Sequence, residues 1–138
     1  MPAIRKPSAD RSRIMRSVRS KNTTPELMVR KFLFRNGLRF RLHRQSLPGK
    51  PDIVLPSRKV AIFVQGCFWH GHSCKRGARV PATNRGYWLS KISSNQRRDL
   101  DHRKALRALG WRVALIWECE TRSERCLERL LAQVLAAH

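Results

Sequence analysis

The spacing of apolar and polar positions predicts an ordered run of elements. Thr24-Pro25-Glu26 opens a helix, with the Thr24 hydroxyl as N-cap, proline at the first helical position and a carboxylate in the first turn. Leu27, Met28, Phe32 and Leu33 form its buried stripe, and Asn36-Gly37 ends it. Short strands are expected over 39–42 and 52–55, separated by a proline- and glycine-containing loop, 45–51. The turn 56–59 leads into a near-continuous apolar strand, 60–64, of the kind buried on both faces. Residues 65–88 look irregular, a length that a small domain tolerates only if the segment is held or functional. A helix over 87–109, ended by Gly110, precedes a fourth strand, 111–118. Thr121-Arg-Ser-Glu124 then reads as a capping box for a last helix with Leu127, Leu130, Leu131, Val134 and Leu135 on its apolar face. Helix, three strands, helix, strand, helix implies an α/β (α+β) fold, a sheet flanked by helices, in one domain spanning 23–138.

Before that domain, residues 1–22 form a basic arm carrying Arg5, Lys6, Arg11, Arg13, Arg16, Arg19 and Lys21. It reads either as a solvated tail or as a segment whose Ile14, Met15 and Val18 dock or touch a partner.

Charge narrows the partner. Thirty Lys and Arg against nine Asp and Glu give the 138-residue chain a formal charge of +21, more than solubility requires, and point to a polyanion. Binding to duplex DNA would then weaken with salt, with a slope of about −0.9 per phosphate contacted. That term does not separate a binding protein from an enzyme. With 41% hydrophobic residues and four tryptophans the chain is expected to fold rather than form a disordered basic tail. No apolar run approaches the roughly 20 residues of a membrane-spanning helix, and the N-terminal run lacks the apolar core of a signal peptide, so a cytoplasmic setting without disulfides is expected. Nothing in the pattern argues against a monomer.

Four cysteines therefore need another reason. Cys67, His72 and Cys74 share one short stretch, and Cys119 ends the fourth strand, where a sheet can bring it alongside. Three thiolates and an imidazole suit a closed, structural Zn²⁺ site that would also hold the long loop. The alternative is a set of free buried thiols. Cys126, on the last helix, reads as an ordinary thiol.

The scarce acids are equally informative. Asp10, Glu120, Glu124 and Glu128 read as solvated or capping residues. Asp52 follows Pro51 at the start of a strand, a place where metal-dependent nucleases put a carboxylate for Mg²⁺. Asp99 lies one helical turn after Asn95, on the same face. Glu26 is adequately explained as a partner of its helix dipole. His70, not needed for zinc, is available for acid–base work near neutral pH.

Taken in order, Leu47-Pro48-Gly49-Lys50-Pro51-Asp52, Gly66-Cys67-Phe68-Trp69-His70, Pro81-Ala82-Thr83-Asn84, Tyr87 to Ile92, Asn95 with Arg98-Asp99, and Gly110-Trp111-Arg112-Val113 through Ile116-Trp117-Glu118-Cys119 closely resemble the very-short-patch repair (Vsr) endonucleases, from about Ser12 to Arg122. The resemblance implies a restriction-endonuclease-like mixed sheet and a Mg²⁺-dependent nick in one DNA strand, 5′ of the thymine in a T·G mismatch left by deamination of 5-methylcytosine. It further implies a functional link to a cytosine-5 DNA methyltransferase. By the same resemblance Asp52 and the Val64 carbonyl would bind Mg²⁺, Glu26 would hold metal-bound water, and His70, oriented by Asp99, would contact the water or phosphate. Phe68, Trp69 and Trp88 resemble an aromatic wedge that opens the duplex, Lys91 and Asn95 resemble the readers of the mispair, and Met15 a side chain inserted from the opposite groove. Core packing is the plainer reading of each aromatic, above all Trp111 and Trp117.

One position departs from the pattern. Relatives place a histidine or, in many cases, an aspartate before Gly66, near the metals; here it is Gln65. An amide cannot act as a general base and binds a metal only weakly. This leaves open a catalytically weak or inactive zinc-stabilised DNA-binding protein. A generic basic RNA-binding protein, in which Asp52 and Asp99 have no role, is a third reading.

Overall fold

The structure, a computed structural model, describes residues 23–68, 70–74 and 78–136. The basic arm with Met15, and Trp69, lie outside them. The elements follow the expected order: α1 (Thr24–Arg35), β1 (Arg41–Leu42), β2 (Ile53–Leu55), β3 (Val60–Gln65), α2 (Arg85–Ala108), β4 (Arg112–Trp117), a 3₁₀ turn (Glu118–Glu120) and α3 (Glu124–Leu135). They build one mixed four-stranded sheet in the order β1-β2-β3-β4. The first three strands are antiparallel neighbours, and β4 returns parallel to β3 after the α2 crossover.

Alternation along the strands sorts the core onto two faces. Ile53 and Leu55, Val60 and Ile62, and Ala114 and Ile116 meet Val29, Phe32 and Leu33 of α1 and Leu127, Leu130 and Val134 of α3. Val54, Ala61 and Val113 face the other way, with Leu106 of α2 and with Trp111 packed against them. The result is three layers, helices on both sides of the sheet. As expected, β3 is an interior strand.

Local chemistry differs from the sequence reading at three places. The N-cap of α1 is Thr23, whose hydroxyl accepts from the Glu26 N–H, so Thr24 is already helical. The buried face also differs from the expected stripe: Val29 is fully buried, Leu27 is 41% exposed and Glu26 comes inside, because the side that meets the core runs through Glu26, Val29, Phe32 and Leu33 at helical spacing. At α3 the N-cap is Ser123, which accepts from the Cys126 N–H. Thr121 instead donates its hydroxyl to the Glu118 carbonyl and closes the preceding 3₁₀ turn, so the expected Thr121 capping box does not form. On α3's apolar face Leu135, the last helical residue, is exposed.

Leu33→Ala is expected to cost about 2–5 kcal/mol, since a fully enclosed side chain leaves a cavity, whereas Leu27→Ala should stay within about 0.5 kcal/mol. Urea denaturation of the two variants checks this; equal losses would restore Leu27 to the core.

Candidate functional site

The carboxylates converge at one end of the sheet. Asp52 lies just before β2, and its Oδ2 accepts the Val64 N–H at 2.8 Å, a bond from the neighbouring strand that fixes the side chain and puts it beside the Val64 backbone. Glu26 reaches the same place from the first turn of α1 and is 3% exposed. Its carboxylate accepts from Arg30, one turn along the same helix. His43, just after β1, places Nε2 at 3.0 Å from both Glu26 oxygens. Donor atoms of Glu26, His43 and Asp52 lie within 4.8 Å of one another.

The other wall comes from α2 and the loop after β3. His70 Nδ1 lies 2.5 Å from Asp99 Oδ2, and Gln65 Nε2 reaches the same Asp99 oxygen at 3.5 Å. Gln65 is 3% exposed and its Oε1 has no hydrogen-bond partner among the described residues. Between the walls is a cleft of about 280 Å³ lined by Glu26, Asp52, Val64, Gln65, His70 and Asp99, among others. Asn95 also lines it, but is 3% exposed and accepts from Arg98.

Electrostatics follow from burial. Withdrawal from water pushes the Asp52 carboxyl above the usual range, against the Val64 N–H and the nearby His43, His70 and Arg30, which favour its charged form. A cation in the cleft would act in the same sense as those three groups.

A second cluster forms next door. In the parallel register Gln65 pairs with Trp117, so the two chains leave the sheet together and bring Cys67 beside Cys119. Donor atoms of Cys67, His72, Cys74 and Cys119 all lie within 4.8 Å of one another, with Cys119 Sγ 3.5 Å from His72 Nδ1. Burial drives the Cys67 thiol up to about 12, and Cys119 also rises. Trp117 is not simply core: its ring stacks on His72 at 4.2 Å and 18°. Cys126 stands apart from the cluster. Among the described residues these are the two groups whose side chains could hold a metal ion.

The described residues expected to meet DNA differ in exposure. Trp88 is buried at 3%, edge-on to Phe68 with centroids 5.6 Å apart, while Phe68 and Lys91 are half-buried.

Two residues beside these acids escaped the sequence reading. Glu118 lines the cleft and accepts the Cys67 N–H at 3.3 Å. His43 is set opposite Asp52 by the β1–β2 register, Leu42 with Ile53; that register was the signal that would have found it.

Against this geometry stand the comparisons with known proteins. Residues 5–76 match the family described as DNA mismatch endonuclease Vsr. The type II nicking enzyme V.XorIIP of Xanthomonas oryzae pv. oryzae is 52% identical over 88% of this chain and 89% of its own length. V.NmeAIP of Neisseria meningitidis, also a type II nicking enzyme, is 44% identical over 89% and 88%. The DNA mismatch endonuclease Vsr of Escherichia coli is 42% identical over 86% of this chain and 76% of its own. The chain belongs to the Vsr DNA mismatch endonuclease family.

The loop carrying His70 depends on a close approach to α2. Gly71 has φ +66, and a Cβ there would meet Gln96 Nε2 at 2.4 Å and Ile92 Cγ2 at 2.7 Å; Gln96 also donates to the His70 carbonyl. Gly71→Ala is therefore expected to destabilise by about 1–3 kcal/mol, read as a lowered Tm. An unchanged Tm would show that the loop is not held this way.

Proposed function

We propose that the protein is a Mg²⁺-dependent endonuclease that nicks one DNA strand 5′ of the thymine at T·G mismatches, on a restriction-endonuclease-like fold stabilised by zinc. The observation that carries this reading is the convergence of Asp52, Glu26 and the His70–Asp99 pair on one cleft in a member of a mismatch endonuclease family. The relatives described as nicking enzymes support a cut in one strand.

The residues fit a divalent cation. Asp52 is a buried carboxylate whose charge is costly without a positive neighbour, and the unpartnered Gln65 Oε1 offers a further acceptor for a coordinated or bridging water. Asp52 and the Val64 carbonyl would hold Mg²⁺, which when bound would polarise the scissile phosphate, help form hydroxide and stabilise the leaving oxygen. Glu26 orients a water on the α1 side. His70 faces the phosphate and exchanges a proton at Nε2, while Asp99 on Nδ1 fixes the tautomer and stabilises the imidazolium. Gln65 donates to Asp99, which assigns it a positioning role that an amide can perform, and leaves the acid–base work to His70. Phe68 presents its ring to the opened base stack, backed by Trp88 and joined in the wedge by Trp69, while Met15 inserts from the opposite groove and Lys91 and Asn95 read the mispair. A mismatch lowers the cost of that opening.

Cys67, His72, Cys74 and Cys119 supply four donors, the number and type that close a tetrahedral zinc site and leave no position for substrate. Its role is structural.

End-labelled duplexes with T·G or C·G at one position, incubated with the protein and Mg²⁺, should yield a nick in the first alone. No nick, or equal nicking of both, would overturn the reading, and binding without a nick would select the weak or inactive binder. Asp52→Asn should lower nicking by more than about 100-fold. Because burial raises the Asp52 pKa, the charged form is the costly one in the fold at neutral pH. The same variant is therefore expected to melt higher than the metal-free parent. Cys119→Ser should lose zinc by elemental analysis and melt lower; retained zinc would refute the ligand set.

A further inference from the structure

Beside Glu26 and Asp52 sits a side chain to which the reaction above assigns nothing: His43. Its imidazole is only 16% exposed and touches a carboxylate that is 4% exposed. A core histidine satisfied by an acid would need no more than that contact. Two further features exceed it. The His43 backbone has φ +47, a left-handed conformation that costs a non-glycine residue about 1–3 kcal/mol and is retained where surrounding structure enforces it. Asp52 itself anchors that backbone: its carbonyl accepts the His43 N–H at 3.0 Å. The strained residue is thus tied by its backbone to Asp52 and by its side chain to Glu26. Its donor nitrogen also lies within 4.8 Å of donor oxygens on both acids, a spacing compatible with a shared ion.

We infer that His43 is a nitrogen ligand, and that Glu26, His43 and Asp52 together form a divalent-cation site that takes Mn²⁺ or Co²⁺ more tightly than Mg²⁺. The inference rests on the reading of Asp52 as a cation ligand; the added content is the imidazole and the ion preference that it sets. Mg²⁺ favours an all-oxygen shell and keeps its waters. An imidazole with two carboxylates suits the later divalent ions, whose affinity for nitrogen is higher. Mg²⁺ would use Asp52 and the Val64 carbonyl, reach Glu26 through a water, and gain little from His43. The Glu26 contact with Arg30 holds the carboxylate in place, as hydrogen bonds to metal ligands commonly do.

The test uses the full chain with zinc loaded, so that the cysteine cluster is filled. Mn²⁺ is titrated and free ion is followed by electron paramagnetic resonance, and spin-echo modulation of the bound ion reports directly coordinated ¹⁴N. His43→Asn is the first variant, because asparagine tolerates the left-handed backbone but is too short to replace the imidazole. His43→Gln is the second, and circular dichroism melts verify the folds.

The parent should show ¹⁴N modulation that both variants lose. Mn²⁺ affinity should fall at least tenfold in each, and the ratio of Mn²⁺- to Mg²⁺-supported nicking of the T·G duplex should fall by a similar factor. Absence of ¹⁴N modulation in the parent, or Mn²⁺ affinity and nicking ratio unchanged in folded His43 variants, would overturn the proposal while Asp52 remained a ligand. Mn²⁺ binding and nicking that survive Asp52→Asn would remove both readings.

Discussion

Carboxylates withdrawn from water at one end of the sheet set the terms for the rest of the molecule. Burying an acid favours its neutral form, and keeping it ionised requires positive or hydrogen-bonding neighbours. Each element that meets the cleft brings one. Strand β3 contributes the Val64 N–H to Asp52, α1 contributes Arg30 to Glu26, the end of β1 contributes His43, and the loop after β3 contributes His70 to Asp99 on α2. These partners come from widely separated parts of the sequence, so the site exists only when the layers are assembled. Burial still dominates at Asp52. The remaining deficit is one that a cation is suited to fill.

The cysteine cluster is mechanically part of the same arrangement. The chain passes from Gln65 in the cleft to Cys67 in the cluster and back to His70, and on the neighbouring strand Glu118 lines the cleft while Cys119 joins the cluster. The Glu118 carboxylate closes this circuit by accepting the Cys67 N–H. A segment with little regular structure can then hold His70 in register with Asp99, because the cluster and the Gly71 approach to α2 fix it at two points.

The sequence made the element order legible because each element has a local cause: a proline after a cap, an Asn-Gly stop, a continuous apolar run. Cap identity was less legible. Thr23 and Thr24 are chemically equivalent as caps, and α1 offers more than one apolar stripe, so neither the cap nor the burial of Val29 over Leu27 could be read locally. At the site, the cysteine and histidine donors could be grouped from spacing and strand order. Trp117 could not be placed against His72, since that contact follows from the β3–β4 register. His43 was invisible for a related reason: only the pairing of two very short strands across a ten-residue connection sets it opposite Asp52. Local patterns carry elements; registers carry neighbours.

The acidic cleft also explains why a charge of +21 is not by itself sufficient for a site that must receive a phosphate. Over distances comparable to the Debye length, about 8–10 Å at moderate salt, the net field attracts the backbone. At contact, Glu26, Asp52, Asp99 and Glu118 line the cleft alongside Lys50 and Arg98, so the local field is less positive than the net charge suggests, and any unneutralised acid repels a phosphate more strongly there than in water. A cation between acids and phosphate reverses the sign of that last step. Cation and nucleic acid then favour each other's binding, because each lowers the cost of placing the other and such a coupling is reciprocal. In the proposed reaction the basic surface would govern encounter, while the few acids would make close approach conditional on a bound cation.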